Sequence, residues 1–170
     1  GGLIILGQAT VGEDGGEDTI EGIATGYDWT MYGGSSDTES SGTLNYVSIR
    51  HSGTALGNGD EIQGLTLGGV GSGTTITNIE IVGSDDDGIE IFGGTVNVTN
   101  LTIWAQSDDA VDLDEGYAGT IDNVAVQMKA SGDNIFEIDG TEDSTDERDG
   151  QFTVKNVTFI GVDGNTEKTD

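Results

Sequence analysis

The strongest constraint in this sequence is a seven-residue pattern, Thr-φ-x-Asn-φ-x-φ with φ apolar, that recurs at nearly constant spacing. It occupies Thr75 to Ile81, Thr120 to Val126 and Thr153 to Phe159. A copy from Asn97 to Ile103 carries Asn97 at the Thr position, and one from Thr43 to Ile49 carries Tyr46 at the Asn position. Asn78, Asn100, Asn123 and Asn156 follow one another at intervals of 22, 23 and 33 residues, and Tyr46 precedes Asn78 by 32. A coil of 22 to 23 residues with two insertions of about ten accounts for all four intervals.

A second element lies between these copies: Gly64 to Gly69, Gly88 to Gly94, Ala110 to Asp114 and Ile135 to Gly140. Its alternation of apolar and polar residues is the period of a half-buried strand, so each coil holds at least two strands. The two insertions fall at His51 to Asp60 and at Thr141 to Gly150, both polar and Gly-rich or acidic, and read as loops thrown out from corners. The expected fold is therefore all-β, a right-handed parallel β-helix (β-solenoid) forming a single domain over residues 1–170. Right-handedness follows from the chirality of parallel crossovers.

In such a stack, equivalent residues lie about 4.8 Å apart. Asn78, Asn100 and Asn123 should then form a ladder of hydrogen-bonded amides inside a corner, with Asn156 continuing it. Ile79, Leu101, Val124 and Val157 form one core column, and Ile81, Ile103, Val126 and Phe159 another. Composition agrees. With 33% hydrophobic residues and 30 glycines, a globular core would be thin, whereas a solenoid buries each coil against its neighbours. Proline, which cannot donate to a ladder, is absent, and so is cysteine.

Charge excludes several functions. Thirty-two acidic residues against 5 basic ones give a formal net charge of −27. Phosphate recognition needs clustered Lys and Arg, so nucleic acid is not expected as a partner. An anionic membrane surface is disfavoured for the same reason, and no apolar run approaches the roughly 20 residues needed to span a bilayer. So much negative charge also self-repels, which points to bound cations or salty surroundings. A chain that starts at Gly1 without Met reads as a processed or excised piece.

Several segments carry a resemblance: Gly2-Leu3-Ile4-Ile5-Leu6-Gly7, Ile20-Glu21-Gly22-Ile23, Tyr32-Gly33-Gly34, Ser41-Gly42-Thr43-Leu44, Gly64 to Thr74, Asp86-Asp87-Gly88 and Phe92 to Asn97. With them the chain resembles a family of secreted or cell-surface bacterial β-helix proteins, common in Bacteroidetes, that has no well-established activity. The resemblance covers most of Gly1 to Gly140. It implies a right-handed parallel β-helix in an extracellular or cell-surface setting, and a longer parent chain; it supplies no catalytic residues to carry over.

Acidic residues recur at one place in the coil: Asp85, Asp86 and Asp87, then Asp108 and Asp109, then Asp133 beside Asn134. The following strand adds a column of Glu90, Asp112 and Glu137, with Asp114 and Asp139 one step further along. Two unit charges one coil apart repel by roughly 1 kcal/mol in water and roughly 3 to 4 kcal/mol at an effective dielectric of 20. Hard oxygen-ligand cations remove that repulsion, and corner carboxylates with nearby carbonyls suit the six to eight oxygens that Ca²⁺ takes. The expected metal ligands are thus Asp85, Asp86, Asp87, Glu90, Asp108, Asp109, Asp112, Asp114, Asp133 and Glu137, with Ca²⁺ as the ion. The competing reading is a solvated acidic face that maintains solubility.

Enzymatic readings find less support. The one histidine, His51, reads as a surface-loop residue. A polysaccharide lyase would pair acidic Ca²⁺ ligands with a basic proton acceptor, for which Arg50, Lys129 and Lys155 are the candidates, yet none lies within the acidic motif. Paired carboxylates for glycoside hydrolysis carry no signal where acids are everywhere. Tyr27, Trp29, Tyr32 and Trp104 either stack on sugars or, more commonly, cover a thin core. The sequons at Asn97, Asn100 and Asn156 read as chance matches, because Asn100 and Asn156 belong to the expected inward ladder.

The chain opens on a second-element strand, Leu3 to Leu6, and closes on a first-element strand, Thr153 to Phe159. These half-coils are complementary. They predict either a head-to-tail homopolymer or continuation into flanking sequence. The primary expectation is a self-associating structural β-solenoid; the alternative is a β-helix that binds or cleaves carbohydrate.

Overall fold

The computed structural model describes residues 1–57, 60–141 and 150–161. Its strands are β1 (Leu3–Leu6), β2 (Glu17–Thr19), β3 (Met31–Gly33), β4 (Thr43–Arg50), β5 (Thr54–Gly57), β6 (Asp60–Ile62), β7 (Leu65–Gly68), β8 (Thr75–Val82), β9 (Ile89–Phe92), β10 (Asn97–Trp104), β11 (Val111–Asp114), β12 (Thr120–Gln127), β13 (Phe136–Ile138) and β14 (Thr153–Ile160). Strands from alternate half-coils build two five-stranded parallel sheets. Sheet 1 runs β1-β7-β9-β11-β13, and sheet 2 runs β4-β8-β10-β12-β14. Each coil donates one strand to each sheet, which is the parallel β-helix the repeat predicts.

Register follows the repeat residue by residue. Ile79 pairs with Leu101, Leu101 with Val124 and Val124 with Val157; Ile81, Ile103, Val126 and Phe159 do the same. From sheet 1, Leu65, Leu67, Ile89, Ile91, Val111 and Leu113 point inward against them, and these residues make one continuous buried core. Its stability grows coil by coil, as apolar area leaves water at roughly 25 cal/mol per Å².

The long strands of sheet 2 share a bend at the repeat asparagine. Asn78, Asn100, Asn123 and Asn156 have φ of 56°, 59°, 62° and 56°, and Tyr46 in the first copy has 55°. Asparagine tolerates this left-handed backbone better than most side chains. The bend explains why Ile76 and Ile79, three residues apart, are both buried, which strict alternation forbids. It also sets the ladder on the outside of the corner, contrary to the inward placement expected from sequence. Asn78 and Asn100 are half-buried, and Asn123 and Asn156 are exposed.

The ladder itself forms. Asn78 Nδ2 donates to Asn45 Oδ1 at 2.9 Å, Asn100 to Asn78 at 2.9 Å and Asn123 to Asn100 at 2.6 Å. Asn45, a neighbour of Tyr46, thus supplies the first rung. Asn156 leaves the ladder and donates to Asp122 Oδ1 at 2.8 Å. An outward ladder removes the burial argument against the sequons, since Asn97, Asn100 and Asn156 all lie on the outer surface.

Of the two expected insertions, the one at His51 to Asp60 carries an antiparallel hairpin, β5 with β6. The other, at Thr141 to Gly150, lies largely outside the described residues. A third and longer insertion spans residues 7–42, where no copy of the repeat exists to measure spacing against. It holds the antiparallel pair β2 and β3. Its own small core of Val11, Ile20 and Tyr32 packs on Ile4, Leu6 and Phe92, the outward residues of sheet 1. Tyr32 lies so close over sheet 1 that a Cβ at Gly68 would come within 2.6 Å of its ring, so glycine is required there. Tyr32 therefore covers the side of the solenoid. Tyr27 and Trp29 instead stack on each other in solvent, with ring centroids 5.4 Å apart.

These contacts generate a prediction. Asn100→Ala loses two ladder bonds and strains the left-handed backbone, which should cost roughly 2–3 kcal/mol in denaturant unfolding. Asn100→Gly keeps the backbone but not the ladder and should cost about 1 kcal/mol less than the alanine variant. Equal costs would show that the bend carries no strain.

Candidate metal centre on the outer face of sheet 1

On sheet 1, residues between the inward positions face out, and pairing aligns Ile4, Thr66, Glu90, Asp112 and Glu137 in one column. An outer column is ordinarily wet. Here Glu90 is only 9% exposed and Asp112 only 8%. The two N-terminal insertions account for this, because they meet over the face: the Glu61 N–H donates to Glu21 Oε1 at 3.1 Å. Below them, Thr66 Oγ1 donates to Gln63 Oε1 at 3.1 Å, and both residues are buried. The stripe is thus a covered groove.

The corner preceding this column carries the aspartates. Asp87 and Asp109 occupy equivalent places in successive coils, and each does a structural job. Asp87 Oδ1 accepts the Asp109 N–H at 2.9 Å, and Asp109 Oδ1 accepts the Asn134 N–H at 2.5 Å. Each uses one oxygen on the next coil's backbone, and the Asp109 carboxyl also meets Glu137.

Two triads of carboxylates converge. Oxygens of Asp87, Glu90 and Asp112 lie within 4.8 Å of one another, as do those of Asp86, Asp87 and Asp108. Asp87 belongs to both, so five acids form one cluster. Glu90 Oε2 and Asp112 Oδ1 are fully buried with no hydrogen-bond partner, a costly state for a carboxylate oxygen. Burial, ahead of the Asp109 N–H that opposes it and the surrounding charges, pushes Asp87 up to about 9. Burial likewise pushes Glu90 up to about 10, reinforced by Asp87, Asp112, Asp114 and Glu21. Asp86, beside Glu61, rises to about 6, again mainly through burial. Asp112 rises to about 6 by burial and the charge of Asp109. The strongest charges felt at all four residues are other carboxylates. A hard divalent cation answers each of these conditions, since it supplies the counter-charge and occupies the orphaned oxygens.

The ten residues expected as ligands divide accordingly. Asp86, Asp87, Glu90, Asp108 and Asp112 come together in the cluster. Asp109 is buried beside them as a backbone acceptor. Glu137, at the exposed end of the column, shares a hydrogen bond with Asp109 that holds its carboxyl well above its usual range. Asp114 is buried one step along the strand, Asp133 is half-buried at the next corner and Asp85 is exposed. Neither triad includes Asp85, Asp109, Asp114, Asp133 or Glu137. A solvated acidic face does not describe the five clustered acids, because four of them are more than nine-tenths buried. Sequence reasoning missed Glu21, which sits in the 7–42 insertion, and Glu61, which directly follows the insertion at His51 to Asp60; no repeat marks either.

The candidate bases lie elsewhere. Arg50 bonds Glu80 at 2.5 Å and Lys155 reaches Asp122 at 3.3 Å, both on sheet 2. Lys129 reaches the acidic corner but donates to Ser107 Oγ at 2.5 Å. His51 is exposed just beyond β4.

The pH dependence has a definite sign. Asp87 and Glu90 hold protons more tightly folded than unfolded, where they titrate near 3.8 and 4.5. Their contribution is full below those values and is lost as pH rises through about 9 and about 10. In chelator, the melting temperature should therefore fall from about pH 5 to about pH 9, and Ca²⁺ should flatten that fall by binding the ionised form. A chelated melting temperature that rises with pH would contradict these assignments.

Comparison with known proteins places this geometry in a family. The pectate-lyase like beta helix domain matches residues 1–170. No curated protein and no solved structure matches the chain. The matched family, the two parallel sheets and the in-register coils agree on a right-handed parallel β-helix, and the chain belongs to the pectate-lyase like beta helix domain family.

Proposed function

We propose that this chain is a structural β-helix, stabilised by Ca²⁺ bound in the covered groove of sheet 1, that works outside the cell as a self-associating fibre or surface-matrix subunit. The observation that carries this reading is the pair of orphaned oxygens, Glu90 Oε2 and Asp112 Oδ1, in a triad with Asp87. An all-oxygen, carboxylate-rich donor set suits Ca²⁺. Millimolar extracellular Ca²⁺ fills even weak sites of this kind, which supports the extracellular setting. Burial of the cluster beneath the insertions favours a fastening role over an open catalytic groove. Self-association is supported by the apolar side chains of Ile138, Phe159 and Ile160, which are exposed on β13 and β14, the outermost strands of the two sheets among the described residues.

The test is a Ca²⁺ titration followed by thermal melting. Saturation at 100 times Kd should add about 2.7 kcal/mol per site, or roughly 5–10 °C. Glu90→Gln should act with opposite signs in two conditions. It should raise the melting temperature in chelator at neutral pH, because Gln needs no bound proton to sit uncharged in the groove, and lower the gain from Ca²⁺. A Ca²⁺ response unchanged in Glu90→Gln would refute the site. For self-association, electron microscopy at high protein concentration with Ca²⁺ should show fibres; monomers alone would remove that part of the proposal.

A second reading, carbohydrate binding, has one observation in its favour. Trp29 and Tyr27 are 71% and 54% exposed in a stacked pair, and Asp28 between them lines a cleft of about 480 Å³ with Glu17 and Met31. Exposed stacked rings suit sugar faces. Under this reading, neutral oligosaccharides should change tryptophan fluorescence in the wild-type chain and not in Trp29→Ala.

A further inference from the structure

A second group of acids lies apart from the stripe and shares no residue with it. Glu115 follows β11 at a corner and takes a left-handed conformation with φ 47°. It is only 3% exposed. Its Oε1 accepts the Tyr32 O–H at 2.6 Å, whereas its Oε2 is fully buried with no hydrogen-bond partner. Carboxylate oxygens of Glu13 and Asp18, both from the long insertion, lie within 4.8 Å of that carboxylate and of each other. The insertion is further tied to this corner by the Gly12 N–H, which donates to the Glu115 carbonyl at 2.8 Å.

Three carboxylates brought together by elements about a hundred residues apart in sequence repel one another, and the buried Glu115 oxygen has no donor. The two facts have one common remedy, a positive ion with room for several oxygens. We infer that Glu13, Asp18 and Glu115 form a separate site for a hard divalent cation of the Ca²⁺ class. The ion clips the insertion of residues 7–42 onto the wall of the β-helix. The site joins an irregular segment to the regular scaffold, whereas the stripe joins one coil to the next. The rival account of the same atoms is a proton held between Glu115 and a neighbouring acid, with no ion.

Tyr32 makes the site addressable. Its hydroxyl touches one ligand carboxylate, so Tb³⁺ bound there in place of Ca²⁺ should emit when tyrosine is excited. The full chain is titrated with Tb³⁺ as wild type, Asp18→Asn, Tyr32→Phe and Glu90→Gln. Asp18 is half-buried in the insertion, so its amide variant avoids the fully buried Glu115. Asp18→Asn should weaken the sensitised signal's apparent affinity about tenfold or more, as expected for losing one charged ligand. Tyr32→Phe should lose most of the emission, yet in calorimetry it should keep the wild-type number of sites and bind at this site more tightly than Asp18→Asn does. Glu90→Gln should keep the Tyr32-dependent signal. Emission that Asp18→Asn leaves unchanged, emission lost in Glu90→Gln instead, or no sensitised emission in the wild type would each overturn the inference; the last is the outcome the shared-proton account predicts.

Discussion

The structure rests on one constraint, the translation of each coil by a single strand spacing, about 4.8 Å, so that every residue meets its own counterpart. What this does depends on chemistry. An apolar column excludes water. An amide column is self-complementary, because each Asn offers both a donor and an acceptor, and Asn45, Asn78, Asn100 and Asn123 use that in one continuous run. A carboxylate column is the opposite case, since ionised acids only accept. Glu90 over Asp112 is such a column, and its orphaned oxygens express the mismatch.

The protein relieves part of that mismatch itself. Asp87 and Asp109 point one oxygen each at a backbone N–H of the neighbouring coil, so each corner aspartate has one oxygen satisfied by the main chain. The remaining oxygens converge rather than disperse, and the insertions seal them from water instead of leaving them open to it. Covering an acidic groove with segments that bring Glu21 and Glu61 adds like charge where it is least welcome. A solvated face needs no such cover. This burial separates the covered groove from a surface that is acidic for solubility.

Much of this was legible in the sequence, for identifiable reasons. The repeat is locked to strand pairing, so the core columns, the register and the Glu90–Asp112–Glu137 column could be read from spacing alone. The side of the corner on which the ladder lies could not. Alternation assigns Asn78 a face only if the strand is straight, and its left-handed backbone breaks the alternation. The 7–42 insertion was invisible to a spacing argument, because no repeat copy precedes Thr43. Burial of the stripe followed the same limit, since Glu21, Glu61 and Tyr32 reach sheet 1 through contacts that no period encodes.

Anomalous diffraction from crystals grown in saturating Ca²⁺ should reveal a calcium peak bounded by oxygens of Asp87, Glu90 and Asp112, at the 2.3–2.6 Å distances that the ion requires. Absence of that peak, with the same carboxylates paired to each other at hydrogen-bonding distance, would mean that protons balance the groove, and would contradict calcium binding there.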